Sequence, residues 1–138
     1  MASGDERMGS LGNCMPYGSE VFCVGPLLQV DALDFRIPVP TDMGAIKVKS
    51  VKSFLTAVLA TANSVVTIEK QHASDSAVGM TGGTLTITSA GTVGDEDSCD
   101  ITDDANARVP AGDFIVLAID GGASQGEAVF FVEYERVQ

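Results

Sequence analysis

Apolar and polar residues alternate along most of this chain with a period of two. Thr84-Leu85-Thr86-Ile87-Thr88 shows the pattern most cleanly, with Leu85 and Ile87 on the inward side. Ile46, Val48 and Ser50 alternate with Lys47, Lys49 and Val51 in the same way. Successive side chains of a strand point to opposite faces, so this pattern predicts half-buried strands. Val65–Lys70, Phe114–Ile119 and Ala128–Val137 are predicted as further strands, and Ser98–Thr102 as a short one through Cys99 and Ile101. Leu27–Val39 reads as extended, ending where Pro38 and Pro40 remove ladder donors and suggest an edge. Ser53–Ala62 can be read two ways. Phe54, Leu55, Val58 and Leu59 are spaced for a short helix, yet Thr56, Val58 and Thr61 are β-branched and no stop precedes Val65. The reading adopted is a strand followed by a turn at Thr61–Ser64.

Punctuation between these runs sets the architecture. Val21–Val24 is a short apolar run closed by Gly25–Pro26, and Thr41-Asp42-Met43-Gly44 looks like a turn. Gly82–Gly83 is read as a hairpin turn, and Arg108–Asp113 has the Pro and Gly chemistry of a tight turn. Asp120–Glu127 reads as a Gly-rich hairpin loop, which predicts that Phe114–Ile119 and Ala128–Val137 pair antiparallel. About eight short strands with such spacing predict an all-β antiparallel sandwich or barrel. Residues 1–20 hold four glycines and no apolar period, so they are expected to form a flexible N-terminal arm, leaving 21–138 as a single β domain. In Phe114–Ile119 both alternating sets are apolar, although a sandwich needs only one face buried. Either a loop of the same chain or a neighbouring subunit must cover the second face. Phe114, Ile115, Val116, Leu117 and Ile119 are therefore candidate oligomer-interface residues.

Composition narrows the class of function. The chain has 138 residues, 45 % of them apolar, enough for one globular domain and its core. Its formal net charge is −11, concentrated in residues 95–138, where eleven acids face only Arg108 and Arg136. Nucleic-acid binders gather Lys and Arg to release counterions, so no nucleic-acid partner is expected, and no anionic membrane surface either. No signal-peptide pattern opens the chain and no apolar run is long enough to span a bilayer. Cys14, Cys23 and Cys99 are odd in number and lack CxxC spacing, which fits a reducing cytosol or a particle assembled there.

The chemistry-bearing residues are sparse. His72, the single histidine, lies in a loop-like stretch, and no GxSxG, HExxH or P-loop pattern occurs. Asp95, Glu96, Asp97, Asp100, Asp103 and Asp104 form the densest acidic cluster, but Cys99 and Ile101 fall where a calcium loop needs oxygen ligands. A solvated loop is the expectation, and no catalytic residue, cofactor or metal site is assigned. Lys47, Lys49 and Lys52 make the one basic cluster, read either as a charge-protected edge strand or as a patch meeting an acidic surface. Met8, Leu11, Met15 and Tyr17 are isolated apolar groups in the arm, suited to pockets on a partner.

Ala107-Arg108-Val109-Pro110-Ala111-Gly112-Asp113-Phe114-Ile115, then Asp120-Gly121-Gly122 and a closing strand ending in Glu135-Arg136, resembles the end of small tailed-phage capsid decoration (cement) proteins. The resemblance covers residues 107–136 as a motif and about 27–138 as strand rhythm. It implies a jelly-roll sandwich without enzymatic activity, a homotrimer on the outer face of a phage head. The implied partner is the major capsid protein, and the implied place is the virion exterior after synthesis in the host bacterial cytoplasm. The alternative is a tail or fibre module contacting host surface glycans.

Overall fold

Gln125–Arg136 explains the layered build of the molecule. Its even-numbered residues Ala128, Phe130, Val132 and Tyr134 are buried, while Val129, Phe131, Glu133 and Glu135 between them are only half-buried. One side of that strand faces a core and the other faces out. The computed structural model describes residues 19–137 and contains nine strands with two single-turn 3₁₀ segments, Thr41–Met43 and Ala105–Ala107. The strands are β1 (Glu20–Leu28), β2 (Leu33–Pro38), β3 (Ile46–Ala60), β4 (Ser64–Gln71), β5 (Val78–Ile87), β6 (Glu96–Asp100), β7 (Arg108–Val109), β8 (Phe114–Ile119) and β9 (Gln125–Arg136).

All pairings are antiparallel and fall into two sheets. The first runs β1-β9-β3-β6, with β7 also on β3, and the second runs β2-β8-β4-β5. Between them lies one apolar cluster. Val48, Val51, Leu55, Phe130 and Val132 come from the first sheet, and Ile37, Val66, Ile68, Leu85, Ile115 and Leu117 from the second. Aliphatic side chains do most of the filling, as expected where the chain has no Trp. Two sheets closing on one core make a sandwich-like all-β domain.

The chain changes sheet at almost every connection, and β4–β5 is the one hairpin between consecutive strands among the described residues. This corrects the pairing expected for the last two strands. β8 and β9 lie in different sheets: β8 sits between β2 and β4, and β9 between β1 and β3. The Gly-rich segment after β8 is a crossing, not a hairpin loop. Asp120 Oδ1 accepts from Val65 N at 3.1 Å and from Gly122 N at 2.9 Å, which ties the start of the crossing to β4. A hairpin and a crossing need the same turn chemistry, so the residues alone do not separate them.

Other expectations change for related reasons. Gly82–Gly83 is not a turn; it lies inside β5, where the pairing with β4 shifts register, and the turn falls at 72–77 instead. A Cβ on Gly82 would stand 2.5 Å from the Asp100 carbonyl oxygen, so glycine is needed for the close approach of β6. Gly25–Pro26 likewise sits within β1, at a register shift against β9, and does not end the strand. Leu27–Val39 divides between β1 and β2 in opposite sheets. Ser53–Ala62 is strand to Ala60, continuous with Ile46–Ser50, so β3 is a single strand of 15 residues and not two short ones. Its register shifts against β9, between Val48 and Ser50 and twice after Leu55, blur the period of two in the sequence.

Candidate functional site

The five candidate interface residues on β8 show first where a partner would not bind. Ile115, Leu117 and Ile119 point into the core at 3 % exposure or less. Val116 faces the other way, yet it is 1 % exposed. Its cross-strand neighbours are Arg36 on β2 and Glu69 on β4, and Arg36 Nε donates to Gln71 Oε1 at 2.8 Å across the strand. Burial, with Asp34 nearby, pushes the Glu69 carboxyl above its ordinary pKa. Long polar side chains of the same chain thus cover the second apolar set, which corrects the reason for placing Ile115, Val116, Leu117 and Ile119 at a subunit interface. Phe114, at the strand's end, is half-buried.

The outward face of the first sheet is different. Phe54 on β3 is paired with Val129 on β9, and Phe131 is paired with Lys52 and Cys23 on either side. Phe54 and Phe131 meet edge to face with ring centroids 5.3 Å apart. Together with Thr56 and Val129 they line an apolar depression of about 320 Å³. A second hollow of about 200 Å³ adjoins it between Val21, Ser50, Lys52, Phe131 and Glu133. Val21 and Leu28 on β1 extend the apolar surface, at 54 % and 60 % exposed. Three aromatic or branched side chains half-open at a sheet's centre form the kind of patch that marks an interaction surface.

Charges frame this patch. Lys47 Nζ lies 3.2 Å from both Asp103 Oδ2 and Glu135 Oε1, and Lys49 Nζ lies 3.6 Å from Glu135 Oε2. Lys52 stands 3.8 Å from Glu96, and Ser50 Oγ donates to Glu133 Oε1 at 2.9 Å. The hydrogen bonds that Lys47 donates to Asp103 and Glu135 raise its pKa, and the bond from Lys47 holds the Glu135 carboxyl below its ordinary value. The three lysines are therefore brought together as expected, but β3 is not an edge strand, since β9 lies on one side and β6 and β7 on the other. Their first partners are carboxylates of their own chain.

The remaining candidates are dispersed. Glu96, Asp97 and Asp100 lie on β6 and not in a loop, and among the described residues no three His, Cys, Asp or Glu are grouped to hold a metal ion. His72 is in the β4–β5 turn and 71 % exposed, with Nδ1 2.7 Å from Asp113 Oδ1. That bond raises the His72 pKa and ties the turn to the residue before β8. Among the described residues no hydroxyl or thiol is hydrogen-bonded to the other ring nitrogen, so the pair is a surface tie. Met8, Leu11, Met15 and Tyr17 lie outside the described residues.

Val129 and Phe131 carry the same signal as Phe114–Ile119. Ala128-Val129-Phe130-Phe131-Val132 is also apolar on both alternating sets. No protein-family model matches the chain, and neither does any curated protein. Among the described residues no helix is long and apolar enough to cross a membrane.

Proposed function

We propose that this chain is a structural subunit of a phage head, a jelly-roll-type sandwich that binds the outer face of the capsid as an oligomer and stabilises it. The observation that supports a binding role is the apolar centre of the first sheet's outward face, which the described residues leave open while polar side chains cover the opposite sheet. The head as the place of binding follows from the resemblance of residues 107–136 to capsid decoration proteins. Nothing in such a role needs a nucleophile, a metal or a cofactor. A subunit that binds the assembled shell and not its free components shifts the equilibrium towards the shell by mass action. The acidic surface keeps unattached copies soluble until they meet the lattice.

The test is antibody labelling of purified particles followed by electron microscopy. The expected result is label spread over the head exterior. Label confined to the tail tip replaces this reading with the glycan-binding alternative, and particles without label remove it.

A further inference from the structure

The open face of the first sheet carries opposite charges on adjacent strands. Outward from β3 come Lys47, Lys49 and Lys52; outward from β9 come Glu127, Glu133 and Glu135. These two strands are direct neighbours, with Lys47 paired to Glu135 and Ser50 to Glu133. Three of the chain's four lysines therefore stand in one row on a molecule of net charge −11.

We propose that this face is the contact between two copies of the chain, related by a two-fold axis running along the seam between β3 and β9. The proposal rests on reading the face as a docking surface, and not on what the assembly is attached to. A rotation about that seam lays β3 of one copy over β9 of the other. Lys47 then comes opposite Glu135 of the second copy, and Lys49 opposite the gap between Glu133 and Glu135. Each lysine has a carboxylate beside it in its own chain and another facing it, so the four charges alternate around a square. Phe54 meets Val129 of the second copy, and the alkyl stem of Lys52 lies over Phe131. An isologous contact must be self-complementary, and two strands of opposite sign related by their own seam satisfy that condition. An unrelated acidic or basic partner would match only one of the two rows.

The area is also sufficient. Strands of 9, 12, 15 and 5 residues, at about 3.4 Å per residue and about 4.8 Å per strand, give a face of roughly 670 Å², not far below the ~800 Å² per partner of a stable interface. The layout matches such interfaces as well, with apolar and aromatic groups at the centre and charged groups towards the rim. Two like-charged molecules repel overall, so they meet where their lysines are.

Sedimentation equilibrium of the full chain, from about 1 to 100 µM, tests the pairing in the range where a contact of this size associates. The expected species is a dimer. Phe131→Glu should leave the β-type circular dichroism and melting temperature nearly unchanged, because the side chain points outward, while shifting the protein to monomer. Lys47→Glu with Lys49→Glu should weaken the dimer by about tenfold or more by setting glutamate against glutamate, and adding Glu133→Lys with Glu135→Lys should restore it. A monomer at every concentration, a trimer, or a dimer that survives Phe131→Glu overturns the proposal. Labelling of heads is read separately: monomeric protein found on heads defeats the pairing alone, and dimers absent from heads defeat the head reading alone.

Discussion

Two polar contacts show what individual residues contribute. Gln29 and Ser64 are both fully buried, and Ser64 Oγ donates to Gln29 Oε1 at 2.6 Å while Gln29 Nε2 donates to the Leu27 carbonyl at 2.9 Å. The pair pins the crossing out of β1 to the start of β4, in opposite sheets. Ser64→Ala leaves the Gln29 oxygen buried without a donor and should cost about 1–3 kcal/mol in denaturant unfolding. The His72–Asp113 contact acts through its hydrogen bond first and then through charge, with Asp75 adding to the latter. Its carboxylate partner raises the histidine pKa in the folded state, so its stabilisation is complete below the unfolded pKa and disappears as pH rises through the folded one. The melting-temperature gap between the parent and His72→Ala should therefore be widest below the ordinary histidine pKa of about 6.5 and close as pH rises through the raised folded-state value. Cys99 is half-buried with its thiol pushed up to about 11, chiefly by burial, which makes it a poor nucleophile beside the exposed Cys23.

At the scale of elements, the connections carry as much information as the strands. β8 and β9 are each long enough and apolar enough to occupy the interior of a sheet, and the segment between them decides which. Gly121 has φ +74°, and a Cβ there would collide with the backbone of Asp31 and Ala32 in the crossing from β1 to β2. Two crossings thus pass against each other at a point where only glycine fits. Gly121→Ala should lower stability by about 1–3 kcal/mol, read as a lower denaturant midpoint with an unchanged slope.

For the whole molecule, the asymmetry between its two outward faces matters most. Arg36, Glu69 and Gln71 close the second sheet's exterior, while Phe54, Val129 and Phe131 leave the first sheet's exterior open. Every described residue of the apolar cluster lies between Phe22 and Tyr134. Deleting residues 1–18 should leave the melting temperature of the free protein nearly unchanged. If the head reading holds, the same deletion should weaken attachment to capsids by about tenfold or more, measured by co-sedimentation, because ordering a segment on a partner is repaid only by contacts made there.

Strand content, the antiparallel class and most strand positions were legible in the chain, because burial of one sheet face imposes a period of two wherever it occurs. Ile46–Val51 and Thr84–Thr88 carry that mark, and β-branched residues settle Ser53–Ala60 as strand despite its helix-like spacing. Tertiary structure decided what periodicity does not encode: which strands share a sheet, and which outward face is covered. Gly82–Gly83 and Gly121–Gly122 use the same residue type for a bulge and for a crossing, since glycine permits either and only the neighbouring backbone chooses. Val116 and Phe131 both face outward from their sheets, each in a run that is apolar on both alternating sets. One is buried because Arg36 and Gln71, far apart in sequence, join over it, and the other stays half-open because no such pair of described residues reaches it.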